Sequence, residues 1–259
     1  MKIFAIANQK GGTGKSSSSF AIGHALAEFG HRVLLVDLDP QSSLTVSVGF
    51  DIKALEKEKT LCDLLLAVAK DQPLDPADVV RETGVPGLRI IPTTSDLAEV
   101  ESHLMGELGR DGILKNALSQ LGNAYDFAII DCPPSLTLLT TNALTAATHV
   151  IVPIEPDYLA MKGAELLVKT VRRVQRKTNP TLTIWRILIT KHDGRTLHAK
   201  EILESISAKF ADLVFPTPIK LSVRMKEAPV KGQSILGYEP HGDNAQTYRS
   251  LAQELSTHV

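Results

Sequence analysis

At 259 residues, 43% apolar and 22% charged, the chain has the make-up of an ordinary globular protein and can bury a sizeable core. Disorder, collagen-like repetition and a coiled-coil rod are excluded, and no apolar run approaches the roughly 20 residues that span a bilayer. The net charge of −1 hides an asymmetry, because residues 160–231 carry 15 basic against 6 acidic side chains. That segment can face a polyanion or simply water. Asn8, Gln9 and Lys10 interrupt the N-terminal apolar stretch before a signal sequence forms. Cys62 and Cys132 are too few for a disulfide framework or a four-ligand metal site in one chain. A reducing cytoplasm is the expected location.

Short, nearly continuous apolar runs predict buried strands at 3–7, 33–36, 88–91, 127–130, 150–154 and 184–189. Helices are predicted between them. The first carries Ile22, Leu26 and Phe29 on one face and stops at Gly30; others cover 61–69, 97–108, 136–147, 160–176 and 198–210. The last, 244–255, places Tyr248, Leu251, Ala252 and Leu255 on one face. Residues 71–86, with three prolines, read as a surface excursion. This alternation predicts an α/β fold: one doubly wound, mostly parallel sheet with helices on both faces, forming a single domain over 1–259.

Between the first strand and the first helix runs Lys10-Gly11-Gly12-Thr13-Gly14-Lys15-Ser16-Ser17. It fits G-x-x-x-x-G-K-[ST] only if the window opens at Gln9, where the first glycine is missing. Glycines at 11, 12 and 14 still let backbone N–H groups fold around a phosphate chain at a helix N-terminus. Lys15 is expected to reach the β- and γ-phosphates and the Ser16 hydroxyl to ligate Mg²⁺, with Thr13 and Ser17 beside the phosphates. Lys10 is a second lysine five residues earlier. It is either a solvated residue at the loop edge or a cation that reaches a nucleotide held by another subunit, as an arginine finger does. The strand 33–36 runs into Asp37, Leu38, Asp39 and Pro40; alternation puts Asp37 and Asp39 on one side just past its C-terminal end. Two carboxylates there suit Mg²⁺ and an attacking water. Asp131 also ends a strand, and Cys132-Pro133-Pro134 then forms a stiff turn.

The loop KGGTGKSS, followed by VDLDPQSS and FAIIDCPPS, resembles the ParA/Soj family of deviant Walker-type partition ATPases. The similarity continues through SLTLLTTNALTAATHVIVPIEPDYLAMKG to VRMKEAPVKGQSI, nearly the whole chain. The resemblance implies a P-loop ATPase with a deviant Walker A motif that uses ATP and Mg²⁺ in a sandwich homodimer, with Lys10 as the signature lysine acting across the interface. It assigns Asp39 to the hydrolytic water, Asp37 to the Mg²⁺ neighbourhood and Asp131 to the Walker B position that holds Mg²⁺ through water. It further implies nonspecific binding of double-stranded DNA in the ATP state, a nucleoid-associated location and release stimulated by a ParB-like activator. Arg224 in VRMKEAP matches the family's arginine, and Arg195, Lys220 and Lys226 are further candidates for DNA contact. An adenine pocket is expected to include Pro216 and Pro218. Thr190-Lys191-His192-Asp193 and Lys220-Leu221-Ser222 depart from the family's usual residues where it contacts adenine or DNA.

On a helical wheel Lys162, Lys169, Arg172, Arg173, Arg176 and Lys177 share a sector of roughly 140°. Further basic residues include Lys191, Lys200 and Lys231. Few aromatics accompany them, which disfavours single-strand stacking and favours duplex phosphate contact. The loop's start near residue 10 leaves no room for an N-terminal helix-turn-helix domain. A MinD-like membrane-cycling ATPase is one rival; it calls for a basic amphipathic tail, whereas 246–259 holds one arginine and no lysine, and stable membrane insertion is not expected. A cluster-loading ATPase is disfavoured by the cysteine count. A ParA-like ATPase positioning a protein cargo is equally compatible with the sequence.

Overall fold

Strands with side chains on both faces must be covered twice, and that requirement organises the computed structural model, which describes residues 1–258. The side chains at 158–162, 197, 198, 200 and 258 lie outside the description, and Lys162 and Lys200 are among them. The strands are β1 (Lys2–Ile6), β2 (Val33–Asp37), β3 (Arg81–Glu82), β4 (Leu88–Ile91), β5 (Phe127–Asp131), β6 (His149–Ile154) and β7 (Thr183–Ile189). Among the described residues they form one sheet in the order β3-β4-β2-β5-β1-β6-β7, parallel except for β3, which pairs antiparallel with β4. The six predicted strands are present. The seventh, β3, lies inside the predicted surface excursion. Two charged residues on a sheet edge carry no apolar period, which is why it escapes pattern reading.

The helices are α1 (Lys15–Glu28), α2 (Ser43–Val48), α3 (Ile52–Leu55), α4 (Leu61–Ala69), α5 (Leu97–Leu104), α6 (Ile113–Ser119) and α7 (Leu138–Ala146). They continue with α8 (Tyr158–Lys177), α9 (Leu197–Phe210), α10 (Arg224–Val230), α11 (Ile235–Tyr238) and α12 (Asp243–His258). Predicted and observed bounds of α4 coincide because its start is local chemistry: Thr60 and Asp63 form a capping box. The run predicted for 97–108 ends early, at Leu104, with Gly106 and Gly109 beyond it, Gly109 at φ +70°. Helices α2, α3, α6, α10 and α11 are too short for an apolar period to announce.

Phe4, Ile6, Leu35 and Ile129 point to one face, packing with Phe20 and Leu26 of α1 and Tyr248, Leu251 and Leu255 of α12. Ala5, Leu34, Val36 and Ile130 point to the other, against Leu64, Leu114, Leu139 and Leu167. The predicted apolar face of α12 is fully buried, each leucine worth about 2 kcal/mol by burial. Gly23 lets α1 sit close on the sheet; a Cβ there would meet Leu35 Cδ2 at 2.7 Å. Among the described residues no helix is long and apolar enough to cross a membrane.

Candidate functional site

Parallel pairing brings strand ends to one edge. Ile6 and Asp37 both stand in register with Asp131 on the central β5, so the loop leaving β1 and the carboxylates ending β2 and β5 converge. Ligands of open α/β sheets bind outside these carboxyl ends.

The loop after β1 folds as its glycines allow: Gly12 and Gly14 adopt φ +74° and +82°, a region closed to most side chains. Gly14 caps α1 with no side-chain acceptor, leaving the first-turn N–H groups to a ligand such as phosphate. Thr190, past the end of β7, donates its hydroxyl to the Thr13 carbonyl at 2.8 Å and ties the loop down. Lys15 is 6% exposed within this cradle. Gly11, Gly12, Gly14, Lys15, Ser16, Ser17 and Asp39 line one cleft of about 540 Å³, whereas Thr13 is buried beneath it.

Asp37 is fully buried and already engaged: its Oδ2 accepts from the Thr45 amide at 2.8 Å and the Thr45 hydroxyl at 2.7 Å, and Oδ1 accepts from the Asp39 amide at 3.2 Å. It braces the start of α2. Asp39 uses Oδ1 to accept from the Gln41 amide at 3.0 Å and faces the cleft. Asp131 is buried too; Ser19 Oγ lies 3.2 Å from its Oδ1, while among the described residues Oδ2 has no hydrogen-bond partner. Burial pushes the Asp131 carboxyl upward and the neighbouring Asp37 adds to it, with Ser16 and Lys15 acting the other way. Burial raises Asp37 as well. Asp131, close to Lys15 and Ser16 and with one oxygen unpartnered among the described residues, and the Ser16 hydroxyl are oxygen donors of the kind a hard divalent cation takes, whereas both Asp37 oxygens are already engaged.

A carboxyl raised in the fold binds more protons folded than unfolded, so stability falls as pH rises through that window. Without nucleotide or Mg²⁺, the stability contributed by these two carboxyls is therefore expected to grow as pH drops from neutral toward the ordinary carboxylate range, against the opposite contribution of His24 and His149, which burial lowers. Asp131→Asn should remove its share of the slope of melting temperature against pH. An unchanged slope in a scan of both proteins would remove Asp131 from the strained cluster.

Lys10 is partly exposed and is paired with carboxylates of its own chain. Its ammonium hydrogen-bonds the Asp157 carboxylate and lies 3.6 Å from Glu155, which also pairs with Lys191 at 3.5 Å. Burial works against the charged amine, yet the two carboxylates outweigh it and hold its pKa above the ordinary value. Lys191, at φ +52°, brings its ammonium near Gly12, so a third lysine overlooks the phosphate loop. Its place at the end of β7, on the ligand edge, was the signal available in the sequence.

The far wall of the cleft comprises Ile219, Lys220, Leu221, Ser222, Met225, Lys226, Pro229 and Tyr248. Pro216 and Pro218 precede this wall without lining it; its apolar residues are Ile219, Leu221, Met225 and Pro229. Tyr248 Oη sits 2.9 Å from Ser18 Oγ and joins α12 to α1 behind the loop. Among the candidates for DNA contact, Arg195 is bound to Asp193 at 2.8 Å, Lys220 to Asp243 at 2.6 Å and Arg224 to Glu227 at 3.0 Å. Lys226 faces the cleft and has no ion pair among the described residues. Both cysteines are buried and free; burial raises the Cys132 thiol far above its usual range.

A family model described as an AAA domain matches residues 1–184. The sporulation initiation inhibitor protein Soj of Bacillus subtilis is 42% identical over 255 residues, 98% of either chain. The chromosome partitioning protein ParA of Caulobacter vibrioides is 38% identical, with 98% of this chain and 94% of that one aligned. A crystal structure from Mycobacterium smegmatis, described as cobyrinic acid a,c-diamide synthase with bound ATP analogue and magnesium, superposes with a TM-score of 0.85. It is 37% identical and covers 100% of this chain and 95% of its own. Strand order, glycine-shaped loop, strand-end carboxylates and full-length similarity thus agree, and the chain belongs to the ParA/Soj family of P-loop partition ATPases.

Proposed function

We propose that residues 1–259 act as one ATPase domain that pairs through Mg²⁺-ATP, holds duplex DNA without reading its sequence in that state and lets go on hydrolysis. The observation that carries this reading is the convergence of the phosphate loop, Lys15, Ser16 and Asp39 on one cleft, with the Asp131 carboxylate buried behind it. Lys15 and the α1 N-terminus bind phosphate, and the cleft-facing Asp39 orients the attacking water and receives its proton. Asp131 and Ser16 hold Mg²⁺, which when bound neutralises charge on the phosphate oxygens. Asp37 serves this set by fixing α2 and the Asp39 amide.

Lys10 acts across the dimer. Its contacts to Glu155 and Asp157 hold it in reserve within one chain, and pairing exchanges those carboxylates for the partner's phosphates. A ParB-like activator accelerates turnover, and attachment to DNA places the protein on the nucleoid. Coupling requires only that DNA favour the ATP dimer over the ADP state. The membrane alternative is weakened by α12, whose apolar face is buried against α1 and whose Arg249 is engaged by Glu28.

The test is binding of a random-sequence duplex with ATP, with ADP and without nucleotide, at about 50 to 300 mM salt. ATP-dependent, salt-sensitive binding is expected. Absence of binding in every state would overturn the DNA reading and leave an ATPase that positions something else.

A further inference from the structure

The basic helix α8 carries a charge that the nucleotide cleft leaves unexplained. Its face toward the sheet is apolar and closed: Ala164, Leu167, Val171 and Val174 are at most 4% exposed. The opposite face shows Lys169, Arg172, Arg173, Arg176 and Lys177, all exposed. The helix has one carboxylate, Glu165, and that is bound to Lys209 of α9. None of the five cations has an ion pair among the described residues. Across a groove of about 570 Å³, Arg110 faces Arg173 and Lys177, with Asp111 as the acidic residue there.

Of the other candidates for DNA contact, Lys226 is likewise exposed and has no ion pair among the described residues, while the remaining three differ. Arg195, Lys220 and Arg224 each lie against a carboxylate at 3.0 Å or less, so much of their field is cancelled before a polyanion arrives. The α8 cations retain theirs. Five charges along nine residues span about 12 Å, enough to meet two or three successive phosphates. With the apolar stripe of α8 buried, the helix offers little to a bilayer interior, and no aromatic side chain stands among the five cations to stack on an unpaired base.

Resting on the DNA-binding part of the function above, we propose that the exposed face of α8, centred on Arg172, Arg173 and Arg176, is a principal surface for the phosphates of duplex DNA. The helix leaves the C-terminal end of β6 and returns the chain to the start of the parallel β7. Its last turns therefore lie at the sheet edge opposite the nucleotide cleft. Nucleotide acts on this surface by pairing two copies of it, and a bivalent dimer gains affinity by two-point attachment without any change in the arginines.

The experiment compares wild type, R172A/R173A/R176A, R172K/R173K/R176K and R224A for binding of a random duplex with ATP across a salt series. Each lost phosphate contact lowers the slope of log K against log salt by about 0.9 per protomer. The alanine triple is expected to lower it by about 2.7 per protomer and to lose at least on the order of a hundredfold in affinity near 0.1 M salt. The lysine triple should restore both, R224A should change them less, and basal ATP turnover and melting temperature should stay at wild-type values in the triples. A wild-type slope in the alanine triple overturns the α8 surface while leaving the DNA reading standing. So does failure of the lysine triple to rescue, or loss of binding to phosphatidylglycerol vesicles with DNA binding intact. A wild-type protein that binds no DNA in any nucleotide state overturns both.

Discussion

Lys15→Ala is expected to abolish useful nucleotide binding. Lys15 is 6% exposed at the start of α1, and its charge faces the buried Asp131 carboxyl. A charge-assisted hydrogen bond to phosphate contributes about 3 kcal/mol, so its loss alone corresponds to roughly a hundredfold weaker binding. The true effect is larger, because the carboxylates then repel the polyphosphate without compensation. Titration of a fluorescent ATP analogue with Mg²⁺ measures this directly. Affinity within about tenfold of wild type would mean that Lys191 or Lys10 supplies the phosphate charge instead.

Asp39→Ala separates binding from turnover. Among the described residues the Asp39 side chain hydrogen-bonds only the Gln41 amide, in the turn after β2, so its removal leaves the phosphate cradle intact. ATP binding should persist while hydrolysis falls by roughly 10²- to 10⁴-fold, the usual worth of a positioned general base. The variant should accumulate as an ATP dimer that keeps its hold on DNA, seen as a shift in size with ATP and slow dissociation from a duplex. Normal turnover in this variant would take the water-orienting role away from Asp39 and leave it a turn-forming carboxylate.

The two variants act on opposite sides of one equilibrium. Without Lys15 the monomer has no nucleotide to share, and Lys10 stays with Asp157 and Glu155. Under the proposed function, the variant without Asp39 should keep its nucleotide, and the exchange of those carboxylates for a partner's phosphates should not be reversed. Glu155 also holds Lys191, so one carboxylate restrains two of the three lysines near the phosphates.

Much of the site was legible from the chain alone, for a physical reason. A phosphate loop is a local object: glycines at 12 and 14 take positive φ, and the helix N-terminus follows within two residues. Strand-end carboxylates are nearly as local, because an apolar run shows where a strand stops. Hence Asp37, Asp39 and Asp131 could be placed on the ligand edge before their register was known. The Arg195–Asp193 and Arg224–Glu227 pairs are also close in sequence and were available to the same kind of reading.

The sequence by itself determined the α/β alternation, the phosphate cradle, the acidic strand ends and membership of the ParA/Soj family, since each is written in short stretches of backbone preference and apolar period. Only the tertiary structure decided which groups meet across large separations. It set Lys10 against Asp157, closed the cleft with Ile219, Met225, Pro229 and Tyr248, and left Asp131 Oδ2 unpartnered among the described residues. It also decided which cations are neutralised and which remain bare on α8. Hydrogen bonds and ion pairs depend on distance in space, and no spacing along the chain reports that for residues more than a hundred positions apart.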